Sequence, residues 1–326
     1  MYKKTVLATL SAALLLPAHA QQQKRTVLEA QVYGTQQEMV YFDCLQTPMV
    51  KAEFHNNPGE DFHYAFTTDF SPMVMLVNGK TQVLMNSGDS LHVVVRYEGN
   101  KRNVQWSGSE RTVAANRLAQ EVSNVCRRLN YKTQLLSCAA LGITPKARID
   151  SARLMLAEVG RLADKYKGKA DPQLVAYIQA VQEASAWMSM IEYPPMYEEI
   201  RHQPISEQGI GDYWTLMDGV SLRDDDAAMS CPDYGAMLIR YSLYAQEREA
   251  RKAGKGYERP GKLEGIFNAV KATYTGRQRE FALYTLLCNF IRNGKEVERA
   301  LPLYKEYKEA FHPQKVYTDV LDQLLQ

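Results

Sequence analysis

The sequence predicts an α+β protein: an N-terminal antiparallel β-sandwich, then an all-α helical part built as a bundle or repeat-like array. Three observations lead there. Apolar residues alternate with period two from Thr26 to Ser107, punctuated by turn residues. After Ser109 the apolar spacing lengthens to the three-and-four rhythm of helices. Within that second stretch Thr144-Pro145 and Asp171-Pro172 each pair an N-cap residue with a proline at the first helical position. The expected division is a leader over residues 1–20, a sandwich over 21–108 and a helical domain over 109–326.

The leader reads MYKKTVLATLSAALLLPAHA. Lys3 and Lys4 form a positive end, Val6 to Leu16 an apolar stretch, and Ala18-His19-Ala20 a small-x-small cleavage pattern, so a cut after Ala20 is expected. The apolar run is about half the roughly 20 residues a membrane span needs. An exported, periplasmic protein without a span in the mature chain is the expectation. The chain has 326 residues with 39 Lys+Arg against 37 Asp+Glu; without Lys3 and Lys4 the count is 37 against 37. That balance excludes a nucleic-acid protein of the strongly basic kind. With 45% apolar and 23% charged residues the composition is that of a folded globular chain.

The strands follow from alternation and turns. Val40–Phe42 and Phe62–Phe66 suit half-buried strands, with Asn56-Asn57-Pro58-Gly59 as a turn between them. Met73–Val77 and Lys80–Met85 flank Asn78-Gly79, the pair a type I′ hairpin turn requires because both residues must accept positive φ. Ser87–Ser90 launches Leu91–Tyr97, and Asn103–Trp106 ends at Ser107-Gly108-Ser109. Residues 21–108 hold 7 Lys+Arg and 9 Asp+Glu, which predicts no basic face on this part.

In the helical part, Glu110 to Leu141 reads as one segment carrying Leu118, Val122, Val125, Leu129 and Leu136, with Gly142 placed to end it. A helix through Ile149, Leu154, Leu156, Val159 and Leu162 follows, then one from Pro172 to Met190. Tyr193 to Pro232 is interrupted by Pro194-Pro195, Pro204, Gly209, Gly211 and Gly219 and is expected to be irregular. Another helix starts at Pro232, and four more are expected at Leu263–Tyr274, Arg277–Arg292, Glu296–Phe311 and Gln314–Leu325. Pro302 either delays or kinks the third of these.

Residues with reactive chemistry are scattered. The five cysteines are Cys44, Cys126, Cys138, Cys231 and Cys288, none in a Cys-x-x-Cys arrangement. On one continuous helix Cys126 and Cys138 would stand roughly 18 Å apart, so they pair only if that helix breaks. His55, His63 and His92 lie on or beside different strands without metal-ligand spacing. Asp224-Asp225-Asp226 with Asp233 could hold calcium, but the alternate spacing and the glycine of a calcium loop are missing, and Asp226 suits a helix start at Ala227. Glu198 and Glu199 near His202 could transfer protons. Tyr193, Tyr197, Tyr213, Tyr234, Tyr241 and Tyr244 could line a groove or seal helix contacts. The cations Arg248, Arg251, Lys252, Lys255, Arg259 and Lys262 alternate with acids and read as a solvated face.

Asn86-Ser87-Gly88-Asp89-Ser90-Leu91 at a strand entry and Trp106-Ser107-Gly108-Ser109 before the first helix carry a resemblance. With a leader ahead of them, they resemble the N-terminal region of exported thioredoxin-like oxidoreductases of Bacteroidetes. The resemblance implies a sandwich followed by helices, with the Cys-x-x-Cys pair in a C-terminal thioredoxin-like domain that would begin about where this chain stops. No position here matches that active motif. The expectation is therefore a non-catalytic binding or scaffold protein with a partner in the cell envelope. It names no catalytic, cofactor or metal residue and no cofactor. The alternative is an enzyme using Glu198 or Asp224 in the irregular stretch from Tyr193 to Pro232.

Overall fold

The computed structural model describes residues 24–326 except Pro58 and Asn100; the expected leader lies outside the described residues. Eight strands come first: β1 (Thr26–Tyr33), β2 (Met39–Cys44), β3 (Lys51–His55), β4 (Phe62–Phe66), β5 (Met73–Val77), β6 (Thr81–Met85), β7 (Ser90–Glu98) and β8 (Lys101–Gly108). They form two four-stranded sheets, ordered β4-β1-β7-β8 and β3-β2-β5-β6. Every pairing is antiparallel except β1 with β7, which runs parallel from Val27↔Ser90 to Tyr33↔Arg96. Turn residues reveal hairpins between consecutive strands; a pairing across some 60 residues leaves no such mark.

Alternation places the inner faces. In β1, Thr26, Leu28, Ala30 and Val32 are buried and the residues between them half-buried. Phe42, Phe54 and Phe62 form a chain of ring contacts between the sheets, with centroids 5.2 and 5.4 Å apart. Asn78 and Gly79 take φ of 51° and 62°, as the hairpin demands. Asn78 also secures the neighbouring strand β2: its side-chain Oδ1 accepts from Tyr41 N at 2.8 Å.

The Asn86–Leu91 segment is a clasp. Asp89 Oδ2 accepts from Asn86 N at 2.7 Å and from Thr112 Oγ1 at 2.9 Å, tying the β6–β7 turn to the start of the first helix. Gly108 ends β8 at φ 131°, where a Cβ would stand 2.5 Å from Ser90 O. Only glycine fits there.

Ten helices follow: α1 (Glu110–Arg128), α2 (Leu135–Ala140), α3 (Pro145–Tyr166), α4 (Pro172–Ile191), α5 (Tyr193–Arg201), α6 (Pro232–Lys252), α7 (Leu263–Thr273), α8 (Gly276–Arg292), α9 (Ala300–Phe311) and α10 (Lys315–Leu324). Thr144 and Asp171 cap α3 and α4 through Ala147 N, Gln173 N and Leu174 N. α3, α4, α6, α8 and α10 neighbour one another in that order, and α7 leans on α6, α8 and α9.

Three expectations are corrected. The segment Glu110 to Leu141 is two helices, broken after Arg128 where Asn130 turns to φ 50°. Leu136, read as part of its apolar face, is 65% exposed. In α3 the buried face runs through Arg148, Ile149, Ala152, Met155 and Val159, and Leu154 points outward. The stretch after Tyr193 opens with a helix, because Pro194 and Pro195 sit in its first turn, where a missing N–H costs nothing. Pro302 likewise lies in the first turn of α9, which starts late. The buried core runs without interruption from Leu28 in the sandwich to Leu321 in α10.

Candidate functional site

All five cysteines are free. The helix does break between Cys126 and Cys138, yet the two thiols take different partners: Cys126 Sγ approaches Gln182 Oε1 at 3.6 Å, and Arg148 Nη1 approaches Cys138 Sγ at 3.6 Å. Burial pushes the thiols of Cys44, Cys126, Cys231 and Cys288 upward, Cys231 farthest. Reactive thiols need the opposite shift, toward thiolate.

The carboxylates named from sequence are spread apart. Asp225, rather than Asp226, is the cap: its Oδ1 accepts from Ala228 N at 3.0 Å. Burial alone would raise the Asp225 carboxyl, but hydrogen bonds from Arg223 and from Ala228 N–H outweigh it and hold it low. Asp226 pairs with Arg277 across to α8, and Asp224 is exposed. His202 ends α5 in the left-handed conformation with its N–H on Glu198 O at 2.8 Å, and no side-chain bond joins it to Glu198 or Glu199. Among the described residues no group of three His, Cys, Asp or Glu side chains could hold a metal ion. His63 faces Glu29 and His92 faces Asp61. The tyrosines seal helix contacts: Tyr213 donates to Ile191 O at 2.6 Å, Tyr244 to Tyr213 O at 3.0 Å, and Tyr193 to Ile143 O at 2.6 Å. In the basic stretch Arg248 pairs with Asp218 and Arg259 with Glu192.

What the fold builds instead is a cleft of about 520 Å³ where the sandwich meets the helices. Its walls are Val74 and Leu84 from β5 and β6, Val122 from α1, Ile178, Val181 and Met188 from α4, with Tyr177 at its inner side and Asp233 of α6 at its rim. The volume suits a small ligand or one or two bulky side chains, and Gln82, Ser123, Thr133, Gln182 and Ser185 interrupt the apolar walls with polar groups. Tyr177 is fully enclosed; its hydroxyl meets Gln46 Nε2 at 3.3 Å and burial drives it far above the ordinary phenol range. Gln46 comes from the loop after β2 and also donates to Ser230 O at 3.1 Å and accepts from Val74 N at 3.0 Å, so one amide fastens β5, α4 and the start of α6. Tyr284 of α8 adds a bond to Gln46 O at 3.3 Å.

Sequence reasoning missed Arg148 of α3, which sits among Tyr131, Cys138 of α2 and Ser189 of α4. It is 2% exposed with no carboxylate partner among the described residues. Its guanidinium stacks 3.8 Å over the Tyr131 ring, and Nε donates to Ser189 Oγ at 3.0 Å. The signal was present in the spacing, since Arg148 precedes Ala152 and Met155 by four and seven residues on the buried face.

Asp233 remains solvent-reachable at the rim, but protein crowds it on most sides, and that desolvation raises its carboxyl above the ordinary value of 3.8. A raised acid binds its proton more tightly in the folded state, so stability declines as pH climbs from 3.8 through the folded value. Asp233→Asn is expected to flatten that decline, measured as the melting temperature across the acid-to-neutral range. An unchanged slope would exclude Asp233 as its source.

No family model, curated protein or solved structure matches this chain.

Proposed function

We propose that the protein is a non-catalytic exported binding or scaffold protein, related to the accessory region of thioredoxin-like oxidoreductases, that holds an apolar element of an envelope partner in the cleft between sandwich and helices. The observation that carries this reading is the cleft itself: four helices, α1, α2, α4 and α6, and two strands converge on a space with largely apolar walls, and Gln46 fastens its β5 and α4 sides together. Cys126, Tyr177 and Asp233 line it, but among the described residues no hydrogen bond joins any two of them. Four of the thiols are buried, Cys126 is half-buried on the cleft wall, all five are unpaired, and the aspartates of the 224–226 run serve as cap and ion pair or face solvent. The leader sequence supports export, and the Asn86–Leu91 and Trp106–Ser109 segments support the kinship.

The test uses the neutral apolar dye N-phenyl-1-naphthylamine and the mature chain. Val181→Lys places a charge on the half-buried α4 wall, where the lysine stem can reach the mouth without unfolding the helix. Dye binding is expected in the wild type and about a tenfold weaker affinity in the variant, roughly 1.4 kcal/mol. Equal binding by both would remove the cleft from consideration. Turnover in an insulin-reduction assay, lost on replacing the cysteines, would overturn the non-catalytic reading.

A further inference from the structure

α1 packs against the flank of the sandwich where β6 and β8 end their sheets. Contacts from β8 and β7 to the start of β6 show that these edges share one side: Arg102 Nη1 reaches Thr81 Oγ1 at 3.4 Å, and Tyr97 OH meets the same hydroxyl at 3.4 Å. The two edges are treated differently. The β6 edge is sealed, because the Asn116 amide accepts from Leu84 N and donates to Leu84 O, both at 2.9 Å, mimicking a paired strand. The outer edge of β8 has no such cover. Its only strand neighbour is β7, and among the described residues no other group hydrogen-bonds to its backbone. Open edges of this kind accept added strands.

Two hollows of about 790 and 920 Å³ flank this edge and share Trp106. Arg111, Arg117 and Lys169 line the first, together with Lys165, which is paired with Glu121, and Glu110 as the lone acid. Lys80, Lys101, Arg102 and Arg127 line the second, and no carboxylate joins them. Apart from Lys165, none of these cations forms an ion pair among the described residues. The acidic excess of residues 21–108 predicted no basic face; the face exists because Lys80, Lys101 and Arg102 of the sandwich gather on this side and Arg111, Arg117 and Arg127 of α1 join them. A local positive groove on a chain of balanced charge attracts only what fits into it.

We propose that the open edge of β8 takes up an acidic, extended polypeptide segment as an added strand, its carboxylates meeting the cations of the two hollows. The lengths agree. The eight residues of β8 extend about 27 Å at ~3.4 Å each, and Arg111 to Arg127 on α1 spans about 24 Å. A backbone amide row answers the unpaired row of β8, which an anionic glycan cannot do. The apolar cleft adjoins the second hollow across Gln82, Ala119 and Ser123 but contributes none of these cations.

The test measures anisotropy of a fluorescein-labelled (Glu-Thr)4 peptide with the mature chain. Binding is expected at low salt, at least about tenfold weaker near 0.5 M salt, and at least about tenfold weaker in the exposed double reversal Lys101→Glu/Arg117→Glu. On the wild-type chain, N-methylation of alternate peptide amides is expected to abolish binding while leaving charge untouched. Equal binding by the N-methylated peptide, or by a sulfated oligosaccharide of matched charge, would overturn strand addition. Absence of binding, or binding that survives the charge reversal, would equally overturn it. Val181→Lys is expected to leave peptide affinity unchanged, which separates this site from the cleft.

Discussion

Asn116→Leu is expected to lower unfolding free energy by about 3–5 kcal/mol, read as a fall in the urea midpoint at unchanged slope. The residue is 1% exposed on α1, a position where helical spacing calls for an apolar side chain, and leucine would fill the volume. The cost comes from what is left behind. Leu84 N–H and Leu84 C=O are buried and take their bonds from the Asn116 amide, which also donates to Thr112 O at 2.9 Å. A buried backbone group stripped of its partner costs about 1–3 kcal/mol, and two are stripped at once. With total stability of such domains near 5–15 kcal/mol, this is a large share. A loss under about 1 kcal/mol would mean that water reaches the β6 edge and that the amide does not seal it.

Asn116 also shows where sequence reading stops. Local rules served well wherever the cause is local: Asn78-Gly79 specifies its hairpin, and Thr144-Pro145 and Asp171-Pro172 open helices where they stand. Phe62–Phe66 and Met73–Val77 are strands over the very residues that the strand pattern and the Asn78-Gly79 turn mark. Where the cause is a distant partner, the sequence is silent. The parallel pairing of β1 with β7 joins segments about 60 residues apart. Gln46 looks like an ordinary loop glutamine until α4 and the start of α6 arrive beside it. The phase of α3 differs from the expected one for the same reason: leucines point to a face through Leu154, whereas Arg148 packs inward because Tyr131 and Ser189 accommodate it. The cationic groove is hidden because charge counted along the chain does not report charge gathered in space from β8, the β5–β6 turn, α1 and α3.

Gln46→Leu carries the second large expectation, and it concerns coupling as well as stability. The Gln46 side chain is 5% exposed and joins the sandwich to the helical part through Val74 N, Tyr177 OH and Ser230 O. Leucine has similar bulk but no polar atoms, so Val74 N–H and Ser230 C=O lose their partners and the enclosed Tyr177 hydroxyl loses one of its own. A loss of about 3–4 kcal/mol is expected on the same reasoning as for Asn116. The two substitutions differ in what comes loose. Val74 and Tyr177 both line the apolar cleft, so slackening Gln46 lets its β5 and α4 walls drift apart. In the wild type, the continuous core predicts coincident urea transitions by tryptophan fluorescence and far-ultraviolet circular dichroism. In Gln46→Leu the two transitions are expected to separate, as the sandwich and the helices lose their shared fastening, and the neutral dye is expected to bind more weakly before either unfolds. Coincident transitions with unaltered dye affinity would show that the aromatic contacts of Phe70 with Tyr284 and Tyr317, at 6.5 and 6.3 Å, hold the junction without Gln46.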